Sequence, residues 1–132
     1  MLRPQTMIAV SDVEASSRWY QEALGLEGGH GGPEYEQLMS GGALVMQLHD
    51  FDEDDAHEPI GDPADRPYGN GVLLWFETDD FDGAVARARA AGARFEKEPF
   101  VNPNARHREI WLVDPDGYRV VVASHYGEAG SG

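Results

Sequence analysis

Gln5-Thr6-Met7-Ile8-Ala9-Val10-Ser11-Asp12 opens the chain as a short apolar run that ends on an aspartate, and a stretch of helical character follows it to Leu24-Gly25. The same order returns in the second half. Val72-Leu73-Leu74-Trp75-Phe76 is apolar, Asp80 follows, and a second helical stretch closes at Ala91-Gly92. Asp12 and Asp80 stand about half of the 132-residue chain apart. A repeat of this length means two copies of one supersecondary unit, because a solenoid needs several shorter ones. Two such copies packed together predict a cleft between them, the expected place for function.

Working outward, residues 5–10 read as a strand. Asp12 is suited to cap a helix over Val13 to Leu24, with Ala15, Trp19, Tyr20 and Ala23 turned inward, and Gly25 ends it. A short strand is expected near 26–30, another near 34–40, a turn at Gly41-Gly42 and a strand over 43–49. In the second copy a strand opens at Val72, and a helix runs from Phe81 to Ala91 with Val85 and Ala88 packing. Strands follow near 94–98, 107–113 and 118–124. Asp114-Pro115-Asp116-Gly117 joins the last two, where proline presets one backbone angle and glycine permits a positive one. The fold class is α+β, with two βαβββ modules. Strand alternation sets one face of each sheet on its helix and the other toward the cleft.

Residues 51–70 change character. An acidic run, Phe51-Asp52-Glu53-Asp54-Asp55-Ala56-His57-Glu58-Pro59, gives way to Pro63, Pro67, Gly69 and Asn70. Its spacing does not match a calcium loop, which needs glycine at the sixth position and glutamate at the twelfth. The segment reads as a solvated linker. Gly28-Gly29-His30-Gly31-Gly32 likewise fails the phosphate-loop pattern, since no Gly-Lys-Ser/Thr follows. The expected organisation is one domain over 1–126, with module one at 4–50, the linker at 51–70 and module two at 71–126. Residues 127–132 are expected to form a flexible tail.

The formal charge is −14, from 24 acidic and 10 basic side chains. Such a field repels phosphate backbones and disfavours nucleic acid. It favours solubility and attracts small cations. Cysteine is absent, which excludes disulfides and thiolate metal sites and fits a reducing compartment. No stretch approaches the ~20 apolar residues of a membrane span. No secretory signal is recognised, and the expected location is cytoplasmic.

Four stretches, taken in order, resemble one family. They are Gln5-Thr6-Met7-Ile8-Ala9-Val10-Ser11-Asp12, Trp19-Tyr20-Gln21-Glu22-Ala23-Leu24-Gly25, Phe76-Glu77-Thr78-Asp79-Asp80 and Asp114-Pro115-Asp116-Gly117-Tyr118. The family is the vicinal oxygen chelate superfamily, which includes glyoxalase I, extradiol dioxygenases and bleomycin-resistance proteins. The resemblance covers nearly the whole chain. In metal-dependent members, four side chains on four strands hold one divalent ion. The matching positions here are Gln5, Gln47, Leu73 and Val121. Gln5 suits the role, Gln47 is a neutral and weaker ligand, and Leu73 and Val121 are aliphatic. Catalytic metals ordinarily have at least three good protein ligands, so the resemblance implies a dismantled site and no cofactor. It also implies a homodimer.

Alternation adds candidates to the ligand face. His49 shares parity with Gln47, Trp75 and Glu77 with Leu73, His107 and Glu109 with Trp111, and Arg119 with Val121. His49, His107 and Glu109 offer donors for a metal in a new geometry. Trp75 and Trp111 can stack on a flat or cationic ligand, with Glu77 and Glu109 supplying charge. Three functions follow. The first is a metal-free protein that binds a small cationic or aromatic molecule, as the bleomycin-resistance branch does. The second is a metal-independent isomerase or lyase using Glu109 or Glu77 with His107. The third is a divalent-metal lyase or dioxygenase with unusual ligands.

Overall fold

The computed structural model describes residues 1–51 and 60–129. The chain divides into two compact units, Met1–Arg66 and Pro67–Gly132. No helix among the described residues is long and apolar enough to cross a membrane.

The first unit runs β1 (Met7–Ala9), α1 (Val13–Leu24), β2 (Glu27–Gly28), β3 (Tyr35–Ser40) and β4 (Ala43–His49). Its four-stranded sheet has the order β1-β4-β3-β2. The β1–β4 pair is parallel, and the hairpins β2–β3 and β3–β4 are antiparallel. Helix α1 starts where Asp12 accepts the Ala15 N–H at 3.0 Å. It stops where Gly25 takes φ 72°, a conformation that costs glycine nothing. The helix buries Val13, Ser16, Ser17, Tyr20 and Ala23. Ala15 and Trp19, expected to pack, are only partly covered. Two serines take that place because Ser17 has a buried partner, Glu36 on β3.

The second unit runs β5 (Leu73–Glu77), α2 (Phe81–Ala90), β6 (Arg94–Asn102), β7 (His107–Val113) and β8 (Arg119–Ala123). Its sheet has the order β5-β8-β7-β6, the same topology as the first. Asp80 caps α2 by accepting the Gly83 N–H at 3.0 Å. Ile110, Leu112, Val120, Val122 and Ala88 form the core between sheet and helix. The Asp114 turn is held by its own carboxylate, which accepts the N–H groups of Asp116 and Tyr118 at 2.9 Å each. Beside it Tyr118 is buried, and its phenol is pushed up to about 12 by burial and by the nearby Asp114 and Asp116 carboxylates and Tyr68.

Several boundaries differ from the sequence reading. Strand β1 is limited to residues 7–9, so Gln5 lies outside it. Strand β6 extends to Asn102 because two register shifts let it keep pairing with β7. Phe51 and Tyr68, inside the expected linker, are both buried. The acidic run 52–59 lies outside the described residues. Gly127 and Ala129, expected in a free tail, donate to the carbonyls of Ala105 and Arg106 at 2.9 Å. Residues 130–132 lie outside the described residues.

Candidate functional site

Strand register separates the faces of the first sheet. Ile8, Leu48 and Glu36 are in register, and Glu36 receives the Ser17 hydroxyl of α1 at 2.9 Å, so this is the helix side. Met7, Gln47 and Gln37, with Ala9, His49 and Tyr35, therefore lie on the opposite face. There the Tyr35 phenol donates to Gln47 Oε1 at 2.5 Å, and Gln37 Nε2 donates to the Tyr35 oxygen at 3.2 Å. Gln47 Nε2 donates to the Gln5 carbonyl at 2.9 Å. His49 Nδ1 lies 2.9 Å from the carbonyl of Asp50 and 3.1 Å from its carboxylate. The rings of His30 and His49 stand 5.0 and 6.0 Å from the Tyr35 ring.

On the helix side Glu36 organises the glycine-rich segment. Its carboxylate accepts the N–H groups of His30 at 2.9 Å, Gly31 at 2.8 Å and Gln37 at 2.9 Å, besides the Ser17 hydroxyl. Burial alone would raise its pKa. The hydrogen bonds to the ionised form outweigh that and hold it below the usual carboxylate value. The segment that lacks a phosphate-loop pattern is thus built around an internal anion.

The second sheet has a richer face. Trp75, Val121 and Trp111 are in one register row, and Glu77, Ala123 and Glu109 in the next. Arg108, of opposite parity, stands 4.7 Å over the Phe81 ring of α2, so that face is the helix side and the tryptophan rows lie on the other. Glu109 is 2% exposed. Its carboxylate accepts from Trp111 Nε1 at 2.9 Å, His107 Nε2 at 2.5 Å and Asn102 Nδ2 at 3.3 Å. Burial pushes this carboxyl up, but those hydrogen bonds prevail and hold it below the ordinary value. Asn102 ties the network to the β6–β7 turn, because its side-chain oxygen accepts the Asn104 N–H at 2.9 Å. Arg106 takes φ 51° in that turn, immediately before His107.

Around this network, Trp75 is 47% exposed although it lies mid-strand. The His107 ring is 5.7 Å from it. Lys97 Nζ stands 3.9 Å over the Trp111 ring, and the Arg119 guanidinium lies 5.5 Å from it. Arg119 also approaches Glu96 at 3.7 Å. Val121 has no exposed surface and serves as a floor. Leu73 is partly exposed at the end of its strand. Glu77 is not part of the Glu109 network. It meets His125 Nδ1 at 2.8 Å, while His125 Nε2 meets Asp79 at 2.6 Å.

Two four-stranded sheets of repeated topology, each with one helix-covered face, are the architecture that the sequence predicts. A family model described as the Glyoxalase/Bleomycin resistance protein/Dioxygenase superfamily matches residues 3–122. The chain belongs to this superfamily. A lactoylglutathione lyase from Agrobacterium tumefaciens is similar in structure, with TM-score 0.71 and 23% identity, covering 98% of this chain and 97% of that one. TioX from Micromonospora sp. ML1 is similar at TM-score 0.70 and 17% identity, covering 93% and 99%. A protein of unknown function from Agrobacterium tumefaciens str. C58 gives TM-score 0.72 at 20% identity, covering 94% of each chain. At these identities the likeness is one of fold. No curated protein matches the sequence.

The metal of the superfamily's metal-dependent members finds a poor donor set in this chain. Leu73 and Val121 carry no donor atom, and Gln47 Oε1 already accepts the Tyr35 phenol. Among the described residues no group of three or more His, Cys, Asp or Glu side chains is arranged to hold a metal ion. His107 and Glu109 bond each other, and His49 bonds Asp50. These residues do not fit the ion.

Sequence reasoning missed Asn102, Lys97, Tyr35 and His125. Tyr35 shares parity with Gln37 and was open to detection. Lys97 and Asn102 were not, because the register shifts in β6 break simple alternation.

Proposed function

We propose that this superfamily member is a metal-free receptor for a small planar molecule, which it takes on the second module's sheet against Trp75. The exposure of Trp75 carries the reading. A large indole left 47% open in mid-strand, beside a sealed polar network, is a surface suited to stacking. The charge of the ligand follows from its surroundings. Glu109 is consumed by three donors and Glu77 by His125, so neither offers a free anion. Lys97 has no carboxylate within salt-bridge reach among the described residues, and the Arg119 guanidinium also lies 5.5 Å from the Trp111 ring. We therefore read the ligand as aromatic with a neutral or acidic edge. A cation, expected from the overall charge of −14, would meet local repulsion.

Glu109, His107, Trp75, Trp111 and Arg119 belong to this reading, with Leu73 and Val121 as apolar floor and edge. Gln5, Gln47 and His49 serve the first module's face in the same proposal. The protein would act in the cytoplasm as a homodimer. A metal-independent isomerase or lyase is the second reading, favoured by the His107–Glu109 pair.

Tryptophan fluorescence titrated with naphthoate, methylnaphthalene and naphthylmethylammonium tests the proposal. Quenching should be strongest for naphthoate. It should be lost in Trp75→Ala, and Lys97→Gln should remove the preference for the anion. Equal affinity for all three probes would overturn the charge assignment, and quenching unaffected by Trp75→Ala would overturn the face.

A further inference from the structure

The two ring nitrogens of His107 have different fates. Nε2 lies 2.5 Å from Glu109 Oε2 inside the sheet. Glu109, held as an anion by its three donors, can only accept, so the proton between the two sits on Nε2. Nδ1 has no partner among the described residues. No described buried side-chain nitrogen or oxygen is left without a partner, so Nδ1 reaches solvent even though the residue is 6% exposed. In the neutral ring that nitrogen carries a lone pair. The ring itself is pinned on one side by Glu109 and flanked by the Trp75 indole at 5.7 Å.

We infer that His107 Nδ1 is a proton acceptor for the ligand, with Glu109 as the positioning residue that fixes the tautomer and stabilises the imidazolium. This rests on the reading of the Trp75 face as the ligand site. The ligand class narrows to planar molecules with an acidic O–H, such as phenols and enols. In the full transfer the ligand O–H bond breaks and an Nδ1–H bond forms. The electron pair stays on oxygen, and the phenolate or enolate faces an imidazolium whose other N–H points at the Glu109 carboxylate. Trp111 and Asn102 keep that carboxylate from turning away, since each occupies one of its oxygens. No metal or redox partner is needed, because only a proton moves.

Two measurements test it. Nitrogen NMR of isotopically labelled wild-type protein should find the neutral His107 ring in the Nε2–H tautomer, with Nδ1 unprotonated. Glu109→Gln should let the two tautomers exchange, a change that a merely structural role would not predict. A fixed Nδ1–H tautomer in wild type overturns the inference. The second measurement compares para-nitrophenol with para-nitroanisole, which has the same shape and no acidic hydrogen. Below the phenol's own ionisation range, nitrophenol should bind about tenfold tighter, with its absorbance shifted toward the phenolate band. His107→Gln should abolish that preference and leave nitroanisole binding in place. Equal binding of both probes overturns the inference and spares the face. Binding of neither overturns the face itself, and the inference with it.

Discussion

Tyr35 donates its phenolic hydrogen to Gln47 Oε1 across neighbouring strands at 2.5 Å, and Gln47 is thereby engaged at the one atom with which it could bind a metal. Of the other three positions to which the family resemblance points, Leu73 and Val121 have side chains with no donor atom. The purified protein is therefore expected to carry no stoichiometric Zn, Ni, Mn or Fe by elemental analysis. Chelator treatment should leave its melting temperature unchanged. A chelator-induced fall in melting temperature, restored by one divalent metal, would contradict this.

Removing the Glu109 carboxylate should be costly. Glu109→Ala leaves Trp111, His107 and Asn102 donors without their acceptor in a buried place, at about 3 kcal/mol. Glu77→Ala, at an exposed pair, should change stability by roughly 0.5 kcal/mol or less. Urea denaturation of the two variants measures the contrast.

Acid should weaken the fold through Glu36 and Glu109. Both have folded pKa values below the ordinary glutamate value of 4.5. Their contribution is complete above that value and is lost as pH falls through the lowered folded values. The acid limb of a stability-versus-pH curve should flatten in Glu36→Gln. An unchanged limb would show that the Glu36 hydrogen bonds survive unfolding or contribute nothing.

His125 should act with the opposite sign. Its hydrogen bonds to Asp79 and Glu77, and the charge of those carboxylates, raise its pKa above 6.5. The stabilisation is present below 6.5 and disappears as pH rises through the raised folded value. NMR titration should place the His125 midpoint above 6.5, and Asp79→Asn should lower it.

Gly69 should not tolerate alanine. Its φ of 70° disfavours any side chain, and a methyl group there would come within 2.6 Å of the buried Tyr118 ring. Gly69→Ala should cost about 2 kcal/mol or more, read by thermal or urea unfolding.

Light scattering at micromolar concentration should return about twice the chain mass of 14.5 kDa. Among the described residues each four-stranded sheet ends in strands with one unpaired edge, which association can cover. A mass equal to the single chain would remove the homodimer.

The order of elements was legible in the chain alone. Apolar runs, the Asp12 and Asp80 caps, Gly25 and the Asp114-Pro115-Asp116-Gly117 turn are local signals, and local chemistry sets where helices and turns begin and end. Alternation along β7 also assigned His107, Glu109 and Trp111 to one face before any coordinates, because side chains in a strand repeat every second residue. The fate of those residues was decided elsewhere. Whether Glu109 is a free base or a sealed anion depends on Asn102 arriving from the neighbouring strand through a bulged register, and on Trp111 and His107 turning their N–H groups inward. Glu77 and Glu109 share a parity, yet one is exposed beside His125 and the other is 2% exposed within a network. Only tertiary packing separates them, since burial, the arrival of Asn102 from β6 and the inward turn of the His107 and Trp111 side chains leave no periodic mark on the strand itself.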